Sequence, residues 1–123
     1  MKICNTLFGG AHHKNGRPNA FRHALWNILI GQETLKRTKN TQKSALWTQK
    51  LTNLYEKVTK NEFLDQAMDL HNNEVGRIYF LELYDRKEKE IIDFLQKQLV
   101  NAKKLVKIEE IENNHTTLVY ISE

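Results

Sequence analysis

Residues Ala20–Gln32 read AFRHALWNILIGQ, and this stretch decides the fold. Ahead of the closing Gln32, only Arg22, His23 and Asn27 carry strongly polar side chains in it. A helix that is apolar nearly all the way round belongs at the centre of a bundle, with neighbours on several sides. Asn19, just ahead of it, reads as the helix N-cap, because its side chain can accept from amides one turn on. Before that comes the one turn-rich run of the chain, Gly9-Gly10-Ala11-His12-His13-Lys14-Asn15-Gly16-Arg17-Pro18. After it, Glu33 to Lys43 is polar enough to read as a connector.

Working outward, Ser44 to Thr59 places Trp47, Leu51, Leu54, Tyr55 and Val58 on one helical stripe, the pattern of an amphipathic helix. Glu56 falls opposite that stripe and reads as a solvated carboxylate. A third helix is expected from near Glu62 to about Tyr84, with Leu64, Met68, Val75 and Tyr79 at helical spacing. A fourth runs from Glu88 to Val100 on Ile91, Ile92, Leu95 and Leu99. The tail changes period: Leu105–Ile111 and Thr116–Ile121 are β-rich runs around Glu112-Asn113-Asn114-His115, which reads as a hairpin. The expected fold is mainly α, a compact bundle of about four helices with a small C-terminal β-hairpin. It forms one domain over 1–123, with a loop at 1–19, a helical core at 20–100 and a hairpin tail at 101–123.

Composition narrows the classes. The 123 residues carry 19 Lys+Arg against 15 Asp+Glu, a net charge of +4 that allows a polyanionic partner without demanding one. A single cysteine, Cys4, removes intrachain disulfides and cysteine-rich metal centres, and nothing in sequence activates it as a nucleophile. No apolar run approaches the ~20 residues of a membrane span, and the N-terminal run is too short for a secretory signal. The expected location is the cytoplasm, or outside the cell by a route without a cleaved signal, with a domain cut from a longer chain as the other origin.

The chemistry gathers on two helices. His23 and Asn27 are four residues apart and share a face, with Arg22 about 100° round from His23. A buried guanidinium needs a carboxylate or carbonyls around it. The segment Met68-Asp69-Leu70-His71-Asn72-Asn73-Glu74-Val75-Gly76-Arg77 brings Asp69, Asn72, Asn73 and Gly76 within about 100° of one another. Asn-Asn and Gly in mid-helix oppose local propensity, and such conflicts often mark functional sites. Gly76 would admit another helix or a ligand. The expected catalytic set is His23 as general acid/base, Asp69 as its orienting partner, and Arg22 with Asn72 holding an anionic or carbonyl oxygen. Asn19, Asn27, Asn73, Arg77, Lys14 and Arg17 are the expected substrate-binding residues, the basic loop supplying a phosphate-recognising concavity. No cofactor is expected. His12, His13, His23, Glu56, Asp69 and His71 offer ligands for a divalent metal, but no HExxH or similar spacing favours one.

The two motifs, Asn19-Ala-Phe-Arg22-His23-Ala-Leu-Trp26-Asn27 and Met68-Asp69-Leu-His71-Asn72-Asn73-Glu-Val-Gly76-Arg77, resemble an uncharacterised bacterial family with N-x-x-R-H-x-x-W-N and M-D-x-x-N-N-x-x-G-R helices. Members of that family occur alone and as C-terminal domains of secreted, toxin-like proteins. The resemblance implies a site on these two helices and leaves the reaction open. The family's middle helix often carries His-Glu, where this chain has Tyr55-Glu56. A looser analogy is with secreted phospholipases A2, which pair a helix-borne His with an Asp on an antiparallel helix. This chain lacks their cysteines and has Ala24 in place of their calcium-binding Asp.

The expected function is that of a hydrolase or toxin-type effector acting on a phosphate-containing or other anionic substrate by His/Asp acid–base chemistry. Its partners would be that substrate and, by the toxin resemblance, a cognate immunity protein, with nucleic acid open as a further partner. The alternative is a binding or adaptor module in which the His/Arg/Asp/Asn cluster is a buried structural network.

Overall fold

Two glycines set how closely the central helices pack. A Cβ on Gly76 would meet the Cα and carbonyl oxygen of Ala24 at 2.8 Å, and a Cβ on Gly31 would meet the Phe80 ring at 2.7 Å. Helix α2 (Arg17–Thr38) and helix α4 (Phe63–Leu83) therefore press together backbone to backbone. In this computed structural model the described residues are 2–9, 16–59, 63–113 and 115–121. Around the α2–α4 pair lie α1 (Lys2–Phe8), α3 (Thr41–Thr59) and α5 (Glu88–Val100). The protein is a mainly α bundle with a small C-terminal sheet.

The main core is built from Phe21, Leu25 and Ile28 of α2, Val75 and Phe80 of α4, and Ile91 and Leu95 of α5. Cys4 of α1 is fully buried in it, so the segment expected as loop over 1–19 includes a docked helix. Burial pushes the Cys4 thiol above its ordinary pKa, partly offset by the positive charge of Arg22 and of the N-terminus. That thiol is a core side chain.

Helix α2 starts earlier and ends later than the sequence suggested. Gly16 is the N-cap and Pro18 sits in the first turn, where its missing N–H costs nothing. Asn19 is thus inside the helix, with its side chain released for other work. Glu33–Lys43 is not a connector. The helix runs on to Thr38, and Lys39 in the left-handed region (φ 55°) closes it by donating its N–H to the Leu35 carbonyl. Residues 39 and 40 suffice to reverse the chain into α3.

Helix α3 is inverted relative to expectation. Its buried face is Ser44, Thr48, Thr52 and Glu56, all at 0% exposure, while Trp47, Leu51, Leu54 and Tyr55 are exposed. The hydroxyls explain how such a seam can be buried. Thr48 donates to the Ser44 carbonyl at 2.8 Å and Thr52 to the Thr48 carbonyl at 2.9 Å. Ser44 meets Thr38 at 2.6 Å. Small side chains with their hydrogen bonds made internally let α3 lie close to α2, and this carries Glu56 inward.

The tail is a parallel pair rather than a hairpin. Strand β1 (Lys103–Lys104) pairs with β2 (Val119–Tyr120), Lys103 opposite Val119. Parallel strands need a crossover of a dozen or more residues, and the intervening chain with its 3₁₀ turn at Ile108–Asn113 supplies it. Three α4 side chains hold the returning chain by its backbone. Asn72 donates to the Val119 carbonyl and accepts from the Val119 N–H, both at 2.9 Å. Tyr79 donates to the Thr116 carbonyl at 2.7 Å, and a His71 ring nitrogen lies 2.9 Å from the Thr117 carbonyl.

Candidate functional site

Three helices deliver ionisable groups to one buried point. His23 comes from α2, Asp69 from α4 and Glu56 from α3, and all three are at 0% exposure. One donor atom of each lies within 4.8 Å of the other two. His23 Nε2 is 3.2 Å from Asp69 Oδ1, and His23 Nδ1 is 3.4 Å from Glu56 Oε1. Burying two carboxylates without compensation is very costly, so the imidazole and the half-buried Arg22 guanidinium beside it are part of what makes the cluster stable.

The hydrogen-bond chain fixes which imidazole nitrogen carries the proton. Asn27 Nδ2 donates to the His23 main-chain carbonyl at 2.9 Å, which orients that amide unambiguously. The same nitrogen donates to Asn73 Oδ1 at 2.8 Å, so Asn73 presents its oxygen. That oxygen lies 3.0 Å from His23 Nδ1, with Glu56 Oε1 the other acceptor on that side. Nδ1 meets these two acceptors and is therefore protonated. The Thr52 hydroxyl, whose one proton is shared between the Thr48 carbonyl and Asn27 Oδ1 at 3.2 Å, extends the chain to α3.

Nε2 is left as the variable atom. It faces a donor, Arg22 Nη2 at 3.2 Å, and an acceptor, Asp69 Oδ1 at 3.2 Å. Arg22 donates to Asn19 Oδ1 at 2.9 Å, and Asn19 Nδ2 in turn donates to Asp69 Oδ1 at 3.1 Å. A neutral ring accepts from Arg22, and a protonated ring donates to Asp69. One nitrogen is locked and the other is poised for proton exchange or for a ligand.

Of the expected residues, the fold brings together His23, Asp69, Arg22, Asn19, Asn27 and Asn73. Asn72 is turned elsewhere: both ends of its amide bond the Val119 main chain, one helical step round from the site. Arg77 is also displaced, reaching the network through Thr52 Oγ1 at 3.4 Å. Burial draws the Arg77 guanidinium below its ordinary pKa, with Glu74 opposing. It lines a groove of about 380 Å³ with His71, Glu74 and Asn53. Arg17 stacks on the Tyr120 ring at 4.6 Å, on the β2 side of the bundle. Lys14, His12 and His13 lie outside the described residues. Glu56 is the residue the sequence reading placed wrongly, as a surface carboxylate. The signal that finds it is the strict four-residue spacing Ser44–Thr48–Thr52–Glu56.

The outer edge of the site is aromatic. The Trp26 ring stands edge-on to the His23 ring at 6.3 Å and to the Tyr55 ring at 5.0 Å. Trp26 is half-buried, as is Arg22 one turn before it.

A family model for a domain of unknown function (DUF6973) matches residues 1–103. The chain belongs to this family. The matched span of the DUF6973 domain contains all the side chains just described around His23, whereas β2, the partner of Asn72, lies beyond it. No curated protein and no solved structure matches the chain. Among the described residues, no helix is long and apolar enough to cross a membrane.

Proposed function

We propose that this DUF6973 domain is a hydrolase acting on a phosphate-containing or other anionic substrate, with His23 Nε2 as the proton-transfer atom. The observation that carries the reading is the asymmetric imidazole. Nδ1–H is tied to Asn73 Oδ1, while Nε2 lies 3.2 Å from both Asp69 and Arg22. Asn73 and Glu56 orient the ring through Nδ1–H, Asp69 receives the Nε2 proton of the cationic ring instead of the orienting role expected for it, and Arg22 meets the substrate anion at the half-buried edge beside Trp26. The motif resemblance to domains of toxin-like proteins adds the finer reading of an antibacterial effector with a cognate immunity protein. The test is to express the parent and His23→Ala in bacteria, and to assay both on RNA, DNA and phospholipid. The parent should inhibit growth or cleave one of these, with His23→Ala slower by about 100- to 10,000-fold. Equal harmlessness and equal inertness of both proteins would end the reading.

A second reading has its own support in the complete burial of His23, Glu56 and Asp69. In a binding or adaptor module the same network would serve to fix the register of α2, α3 and α4. His23→Ala and Asp69→Asn would then lower the melting temperature and change nothing else. A variant with native stability and lost activity decides for the hydrolase.

A further inference from the structure

We infer that the His23–Glu56–Asp69 cluster is a binding site for a divalent transition-metal ion of the zinc or manganese type, ligated by His23 Nε2 and the carboxylates of Asp69 and Glu56. The distances fit such a centre. Two ligand bonds of about 2.1 Å, meeting at between a right angle and the tetrahedral angle, set their atoms about 3.0–3.4 Å apart. His23 Nε2 and Asp69 Oδ1 are 3.2 Å apart. One ligand atom from each of the three residues lies within 4.8 Å of the others; Glu56 Oε1 meets the ring from the Nδ1 side at 3.4 Å, so its carboxylate has to swing toward Nε2 to complete the set.

The hydrogen bonding points the same way and is independent of those distances. A metal-bound imidazole characteristically gives its other N–H to a carbonyl or carboxylate, which fixes tautomer and ring orientation. Here the chain from the His23 carbonyl through Asn27 to Asn73 does this, leaving the Nε2 lone pair on the side where Arg22 and the Asp69 carboxylate converge. Asn19 donates to Asp69 Oδ1 and Asn73 Nδ2 to Glu56 Oε1 (3.5 Å), so both carboxylates are also oriented from behind. One imidazole with two carboxylates is a borderline-to-hard donor set, suited to zinc or manganese and poor for soft ions such as copper(I). A doubly charged ion would balance the two buried carboxylates. The Arg22 guanidinium lies 3.2 Å from the same nitrogen, so ion and guanidinium compete for one lone pair, and half-buried Arg22 is the side chain that moves aside.

Catalytic use of the ion rests on the hydrolytic reading above, but its binding does not, and binding is what the experiment measures. The full chain, stripped with a chelator and dialysed, is titrated with zinc, manganese and magnesium chlorides by calorimetry and by thermal unfolding. The expected result is one equivalent of zinc or manganese per chain and a melting temperature raised by roughly 10 °C at free metal about 100 times Kd. Cobalt(II) should give visible ligand-field bands without a thiolate charge-transfer band, which separates this site from Cys4. Glu56→Gln and Asp69→Asn, which keep the shape of the side chains, should each weaken binding by at least tenfold while circular dichroism remains native. Arg22→Gln should bind at least as tightly as the parent. Absence of stoichiometric binding overturns the inference, as does unchanged affinity in both carboxamide variants, or a loss in Arg22→Gln equal to theirs. Metal binding without hydrolysis would sustain the metal site and end the hydrolytic reading. Hydrolysis unaffected by chelator in a protein that binds no metal would do the reverse.

Discussion

Asn72 and Asn73 are consecutive, chemically identical and both fully buried, yet they belong to different parts of the molecule. Asn72 faces the C-terminal chain and completes the hydrogen bonds of Val119, mimicking a neighbouring strand. Asn73 is rotated by one helical step and faces α2 and α3, where its oxygen fixes the proton on His23. Between them they divide α4 into a clamp face, with His71 and Tyr79, and a site face, with Asp69. The difference teaches that burial and residue type do not assign a role. What matters is whether the partner is a main-chain group with fixed needs or a titratable side chain with two states.

The largest expected effect of breaking the comparison is on the clamp. Asn72→Ala removes both partners of the Val119 main chain, and each unsatisfied buried group costs about 1–3 kcal/mol. We expect a loss of about 3 kcal/mol in urea unfolding, with affinity at the His23 site unchanged within twofold. A comparable loss of ligand or metal affinity would show that the two faces are one cooperative unit. Next comes Gly76→Ala. In an exposed helix this change stabilises by about 1 kcal/mol. Here the added methyl meets Ala24 backbone at 2.8 Å, so α2 and α4 must part. The expected sign is reversed, a loss of about 2 kcal/mol, and the same movement should weaken the site by pulling His23 from Asp69. A stabilised Gly76→Ala variant would contradict the close approach.

The two faces were unequally legible in the sequence. The central helix declared itself through AFRHALWNILIGQ, and the pairing of His23 with Asp69 followed from polar residues placed against propensity on two apolar helices. Asn72 and Asn73 could not be told apart, because a 100° difference on a wheel has meaning only once the neighbours are placed. Helix α3 misled for a physical reason. Hydrophobic patterning assumes that apolar side chains seek the interior, whereas Ser44, Thr48 and Thr52 satisfy or pair their hydroxyls locally and pack tightly enough to take that place. Glu56 then arrives with them. The hairpin expectation failed because β-propensity carries no information on strand direction. The direction is set by the crossover and by the α4 clamp, both distant in sequence.

Asn73→Ala sharpens the comparison from the site face. It should cost less stability than Asn72→Ala, about 1–2 kcal/mol, since Asn27 retains the His23 carbonyl and Nδ1–H retains Glu56 as an acceptor. Its effect on function should be the larger one, about 10- to 100-fold in metal affinity or turnover, the scale seen when the group behind a ligating histidine is removed. Nitrogen-15 spectra of the imidazole provide the direct check. The parent should show a single Nδ1–H tautomer, and the variant a mixture. A variant that keeps the pure tautomer would mean that Glu56 alone fixes the ring, with Asn73 serving only to fill space.

The smallest effect is on the clamp face and is visible only through pH. Burial, with a further contribution from the charge of Glu82, pushes the Tyr79 phenol up to about 12 from its ordinary value near 10. The folded state therefore holds this proton more tightly than the unfolded chain. The resulting stabilisation is fully present below about pH 10 and is lost as pH rises through 12. Only the protonated phenol can donate to the Thr116 carbonyl, so the hydrogen bond is lost over the same pH range. Tyr79→Phe should cost about 1 kcal/mol at neutral pH, and the gap from the parent should narrow between pH 10 and pH 12. Taking the difference between the two proteins cancels the alkaline titration of the lysines, which both share. A gap that stays constant to pH 12 would place the phenol's proton outside the clamp and leave Asn72 and His71 to hold the C-terminal chain.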